Sequence, residues 1–196
     1  VLEVSVELLA LLILAAFAAG FVDSIAGGGG LIALPVMLMA GASPVEALST
    51  NKLQGAFGAA TAAVSYARAG HVNPWSQRWA ALLAFFASMA GAMLITRLPT
   101  EGVRDILPWL LIAIAVFFAL RPGLSDLDRH ARVAPLVFTL TAVPAVAFYD
   151  GLLGPGTGSF FMLAFVVLAG QGILKATAHT KLLNLASNLG ALVFFA

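Results

Sequence analysis

The sequence predicts an all-α, polytopic membrane helical bundle with two short, interrupted helices and an internal inverted repeat. Composition is the first reason: 61% of residues are hydrophobic, 10% are charged, and the mean hydropathy is +1.02, whereas soluble domains carry roughly 25% charged residues. The second is where the charges fall. Stretches 4–22, 53–67, 79–96, 106–120, 133–149 and 182–196 hold one acid or base between them, Glu7. The third is a pair of glycine-rich breaks, at 27–30 and 154–158, each directly ahead of a short apolar run.

In chain order, eight hydrophobic segments span 4–22, 30–41, 47–67, 79–96, 106–120, 133–149, 158–170 and 174–196. A full crossing takes about 17 to 25 mostly apolar residues. The first segment lacks the basic start of a secretory signal and carries Glu3 and Glu7 instead, so it reads as a retained span. The second and seventh are too short to cross alone as regular helices. Backbone freed by the breaks ahead of them cannot face lipid, so it must be buried in protein or line a wet cavity. There is no cysteine, which removes disulfides and thiolate metal sites. No cofactor, metal or nucleic-acid partner is expected, and the oligomeric state stays open.

The two breaks belong to a longer pattern. Phe21-Val22-Asp23 aligns with Phe148-Tyr149-Asp150, the tetraglycine with Gly154-Pro155-Gly156-Thr157-Gly158, and Lys52-Leu53 with Lys181-Leu182. Each copy runs through a span ending in Asp, a glycine-rich break, a short helix, a turn, and a Lys in the next apolar segment. The first copy takes residues 1–121 and the second 122–196, within one membrane domain. If every segment traverses, five crossings separate the copies, and an odd number makes them inverted, the pattern of secondary transporters. Residues 68–121 have no counterpart in the second copy, so the repeat predicts roughly fifty further residues in the natural protein.

Loop charge sets the expected orientation. Arg68, Arg78, Arg121, Arg129 and Arg132 fall on one side, against Arg97 and Arg104 on the other. The positive-inside rule then puts the arginine-rich side in the cytoplasm and the N-terminus outside.

Successive amides at a helix start form an anion-binding concavity, aided by the helix dipole. Gly27, Gly28, Gly29 and Gly30, and likewise Gly156, Thr157, Gly158 and Ser159, are therefore candidate substrate contacts. Glycine can equally serve close helix packing. Lys52 and Lys181 follow Asn51 and Thr180 in polar sequence at the start of apolar segments, where a charge is either functional or snorkels to the interface. Asp23 and Asp150 could carry a coupling proton, or cap the short helices and pair with the lysines. His179 is a third proton candidate, with a structural histidine as the alternative. Gln54 in the first copy, and Asn184 and Asn188 on the Lys181 face of the last helix, form a polar face that reads as a cavity wall or a helix contact rather than a lipid-facing surface.

The motifs FVDSIAGGGGL (21–31), TNKLQG (50–55), FYDGLLGPGTGSF (148–160) and TKLLNLASN (180–188) resemble those of the sulfite exporter TauE/SafE family of bacterial membrane permeases. The resemblance implies an inner-membrane carrier of sulfite, sulfoacetate or similar small organosulfur anions, with coupling to the proton gradient. It leaves the substrate and the direction of transport open. Two other readings compete: a passive anion channel, and an intramembrane hydrolase with Ser159 as nucleophile and His179 as base. A nucleotide phosphate loop is excluded, since the Gly-Lys-Ser/Thr ending is absent.

Overall fold

The computed structural model describes residues 5–120 and 126–195. Among them are eight α-helices and no strand: α1 Val6–Ala26, α2 Gly30–Met39, α3 Pro44–Arg68, α4 Arg78–Ile95, α5 Thr100–Ala119, α6 Pro135–Leu152, α7 Thr157–Val167 and α8 Ile173–Phe195. Arg121, the expected repeat boundary at 121/122, and the segment ends at Val4 and Ala196 lie outside the described residues. Helices α1, α4 and α6 are long and apolar enough to cross a membrane. Helices α3 and α8 are as long but carry polar residues inward, and α5 opens on the charged run Thr100 to Asp105.

Each expected segment contains one helix, with shifts at the starts that local chemistry explains. Helix α3 begins at Pro44, ahead of the apolar stretch at 47, because Ser43 and Glu46 form a reciprocal capping box. That box satisfies two of the amides a helix start leaves open. Helix α5 likewise starts at Thr100, six residues before its apolar run, with Glu101 in its first turn, where a carboxylate favours the helix dipole.

The short helices α2 and α7 have 10 and 11 residues, roughly 15 Å each. Neither traverses; each turns back on the helix before it. Positive φ at Gly27 (74°) and Gly28 (95°) reverses the chain from α1 into α2, and at Gly154 (91°) and Gly156 (75°) from α6 into α7. A side chain disfavours this conformation, which glycine adopts freely. The α6–α7 hairpin is closed at its open end, where Arg129 donates its N–H to the Gly170 carbonyl at 2.7 Å and Arg132 to Leu168 at 2.8 Å. Phe138 and Phe165 stack between its two arms at 4.8 Å. In the α1–α2 hairpin the start of α2 lies on Ala19 and Asp23, and Leu12 and Met37 share a cleft farther out.

Two apolar cores occupy opposite ends of the bundle. One gathers Ala84, Phe138, Phe165 and Ala176, near the starts of α4, α6 and α8 and on α7. The other gathers Leu34, Leu48, Ile95, Leu107 and Phe195, from α2, the starts of α3 and α5, and the ends of α4 and α8. The two hairpins therefore enter from opposite ends. Between the cores, glycine lets backbones touch. A Cβ on Gly151 would lie 1.8 Å from the Ser88 carbonyl oxygen, one on Gly190 2.1 Å from that of Phe85, and one on Gly91 2.2 Å from that of Phe148. Helix α4 is thus pressed against both α6 and α8, the small-residue packing that substitutes for a hydrophobic driving force in lipid.

Candidate functional site

The two hairpin tips meet in the middle of the bundle. A Cβ on Gly27 would lie 2.5 Å from the Gly158 carbonyl carbon, and one on Gly158 2.8 Å from the Gly27 Cα. The Ser159 hydroxyl donates to the Gly27 carbonyl at 3.2 Å across the same junction. The second turn is braced from within: the Tyr149 hydroxyl donates to the Pro155 carbonyl at 2.6 Å and the Thr157 hydroxyl to the Gly154 carbonyl at 2.7 Å.

Beside this junction lies a cavity of about 40 Å³, room for a few water-sized groups. Of the residues singled out in the sequence, Asp23, Gly28, Gly29, Gly30, Asn51, Gln54, Asp150, Gly156, Thr157, Gly158, Asn184 and Asn188 line it. Helix starts leave their first amides without intrahelical partners, and both α2 and α7 begin here. Among the described residues, the side-chain amides of Asn51, Asn184 and Asn188 make no hydrogen bond to protein, although Asn184 and Asn188 are 5% and 4% exposed. Their hydrogen-bonding capacity is left for what the cavity holds. Gln54 is partly committed, donating to the Ala16 carbonyl at 2.8 Å.

The lysines stand behind this wall, each paired with an aspartate distant in sequence, Lys52 with Asp150 and Lys181 with Asp23. Lys52 Nζ lies 2.5 Å from Asp150 Oδ1, and Ser187 donates to Asp150 Oδ2 at 2.6 Å. Lys181 Nζ lies 3.4 Å from Asp23 Oδ2 and also bonds the Asp23 main-chain carbonyl. The remaining oxygen, Asp23 Oδ1, accepts from the Gly29 N–H at 3.2 Å. Both lysines are at most 1% exposed, a placement that is tolerable only because each charge has a partner. Neither snorkels to an interface.

Besides the two lysines, four of the sequence candidates are not part of the cavity wall, Ser159 among them, with its hydroxyl on the Gly27 carbonyl in the tip contact. Gly27 is consumed by the tip contact, and the Thr180 hydroxyl is buried with no partner among the described residues. His179 bonds Gln77 through Nδ1 at 2.5 Å and stacks on Phe165 at 5.4 Å, in a cleft it shares with Gln171 nearer the start of α8. It engages none of the groups that Ser159 engages. Sequence reasoning overlooked Gly20, Gly55 and Gly58, which also line the cavity. Gly55 presses on the Asn188 amide, a Cβ there falling 3.1 Å from Nδ2. The glycine pair three residues apart on α3 was the available signal.

Comparison with known proteins identifies the family. The family profile described as "Sulfite exporter TauE/SafE" matches residues 12–196. The chain belongs to the TauE/SafE family. Among TauE/SafE relatives, "Probable membrane transporter protein ORF9" of Sinorhizobium sp. is 58% identical over 98% of this chain and 74% of its own length. "Probable membrane transporter protein YfcA" of Escherichia coli strain K12 is 46% identical over 98% of this chain and 71% of its own length. A "Probable membrane transporter protein" of Haemophilus influenzae is 41% identical over 99% and 76%. No solved structure matches. This TauE/SafE chain is therefore a membrane transporter, and the names of its relatives point away from an enzyme.

Proposed function

We propose that this TauE/SafE protein is a secondary carrier for small oxyanions such as sulfite or organosulfonates, coupled to protons and working by alternating access. The observation that carries the reading is the central cavity. It sits where two helix starts meet, is walled by amides with unmet hydrogen bonds, and is backed by two crossed ion pairs. Its small volume and its donors suit a compact oxyanion.

The triplets α1–α2–α3 and α6–α7–α8 are read as the two copies of an inverted repeat. The crossed pairing of Lys52 with Asp150 and of Lys181 with Asp23 supports this, because a twofold relation between copies predicts reciprocal contacts. Rocking of one copy against the other would expose the cavity to each side in turn. Asp23, Asp150 and His179 are the candidates for handling the proton. The reading places the protein in the bacterial inner membrane with its N-terminus outside, supported by the exposure of Arg68, Arg78, Arg129 and Arg132 in the loops taken as cytoplasmic.

The test uses proteoliposomes containing the protein, with labelled sulfite or methanesulfonate flux measured with and without a pH gradient. Saturable flux that follows the gradient is expected. Flux that never saturates indicates a channel, and no flux of any small oxyanion sinks the proposal.

A further inference from the structure

The two crossed ion pairs are chemically unequal. Asp150 is held at both carboxylate oxygens, by Lys52 at 2.5 Å and by Ser187 at 2.6 Å, and its side chain is 2% exposed. Lys52 is wedged under Gly154, where even a Cβ would fall 2.5 Å from its Nζ. Asp23 is held loosely: 3.2 Å to the Gly29 N–H, 3.4 Å to Lys181, and 13% exposed. Both aspartates line the cavity and neither lysine does, so an entering ion meets a carboxylate ahead of either ammonium, and Asp23 is the more exposed of the two. The Lys181 ammonium is anchored independently on the Asp23 main-chain carbonyl, and it stays in place if the carboxylate moves.

We infer that the oxyanion binds by replacing the Asp23 carboxylate at Lys181 and the Gly29 N–H, with Asp23 taking up one proton as it leaves. The inference rests on the oxyanion-carrier reading and names the residue and the stoichiometry of its coupling. Charge balance requires the proton. Asp23, Asp150, Lys52 and Lys181 sum to zero, and an added monoanion would leave an uncompensated charge in a buried site, which desolvation strongly disfavours. One proton on Asp23 restores neutrality: its carboxylate becomes a carboxylic acid, and the anion inherits the two contacts that the carboxylate gave up. The geometry matches, since an oxyanion, like a carboxylate, offers two oxygens to one ammonium and one amide.

The charged groups facing Asp23 are few. Lys181 comes from α8, Lys52 from α3 and Asp150 from α6 across the cavity, while α2 and α7 contain no titratable residue. Asp150 is disfavoured as the proton acceptor because protonation there would break a 2.5 Å ion pair and strand Lys52 under Gly154. Asymmetry between the two copies thus converts a symmetric charge layout into a single proton site.

The decisive experiment uses methanesulfonate, whose charge is constant across the working pH range, so every proton counted belongs to the protein. In proteoliposomes of the parent protein, steady-state accumulation should reach about tenfold per unit of pH gradient, the value for one proton per anion. It should be indifferent to an imposed membrane potential. Asp23→Asn, which mimics the protonated acid, should exchange labelled for unlabelled sulfonate yet accumulate none with the gradient. Accumulation nearer a hundredfold per unit, dependence on voltage, or tenfold accumulation surviving in Asp23→Asn would each overturn the inference. Should Asp23→Asn fail to fold, the parent stoichiometry and voltage measurements still decide the one-proton coupling. Flux without pH dependence refutes the coupling alone, whereas absence of oxyanion flux in the parent refutes the carrier reading with it.

Discussion

Lys52 on α3 pairs with Asp150 on α6 at 2.5 Å, although 98 residues separate them, and both side chains are at most 2% exposed. Such a pair is better understood as mutual dependence than as net stabilisation. Removing one partner leaves the other charge buried and alone, at a cost of about 3 to 5 kcal/mol.

Lys52→Met is therefore expected to lower the stability of the purified protein in detergent by about that amount, 3 to 5 kcal/mol. The double variant Lys52→Met with Asp150→Asn should recover a large part of the loss, since neither remaining group is charged. Thermal unfolding of the four proteins in a double-mutant cycle measures the coupling. Simple additivity would show that the pair is not formed.

The contact between hairpin tips makes a second prediction. Gly27→Ala meets both a φ of 74° and the backbone of Gly158 and Ser159, so overpacking of about 1 to 3 kcal/mol adds to the conformational penalty. Transport should fall with stability, because the wedge separates the two helix starts. Gly102→Ala is the matched control: nothing lies within 4 Å of a Cβ there, and a helical Ala is favoured over Gly by about 0.5 to 1 kcal/mol.

Asn184 and Asn188 bring unmet amides to the cavity. Asn184→Ala and Asn188→Ala should each raise the KM for a sulfonate by about tenfold to a hundredfold, the equivalent of losing one hydrogen bond to a charged group. Stability should change little, since neither amide is bonded to protein. A KM unchanged in both variants would remove them from the site.

Topology can be tested with unusual cleanness because the chain has no cysteine. Arg129→Cys and Arg97→Cys lie in loops assigned to opposite sides, both exposed. A membrane-impermeant maleimide applied to intact inverted membrane vesicles should label Arg129→Cys and spare Arg97→Cys. The reverse result would invert the orientation, and labelling of both would contradict the odd number of crossings between these loops.

Much of the fold was legible in the sequence, for a physical reason particular to lipid. Without water to satisfy loose backbone, apolar stretches must be helices and glycine-rich breaks must turn inward. Eight segments therefore became eight helices, and the breaks at 27–30 and 154–158 became the two turns. What periodicity could not reveal was that α2 and α7 turn back. Segment counting assumed that they cross, whereas each is a short arm folded back on the helix before it. The capping of α8 was equally hidden. Asp126 and Asp128 accept from the Leu174 and Gly172 amides at 2.9 and 2.6 Å, acids more than forty residues upstream that no local signal connects to that helix start.

The candidate residues show the same division. Sequence by itself determined that two aspartates, two lysines and two glycine-rich turns recur in one order, because rare polar groups in an apolar chain stand out against their background. Only the tertiary structure decided which charge meets which. Opposed hairpins bring Asp150 to Lys52 and Asp23 to Lys181, and although both aspartates reach the cavity they leave Asp23 more exposed and more loosely held than Asp150. Pairing is a matter of distance in space, and burial depends on what packs above a side chain. Neither quantity is carried by the order of residues along the chain.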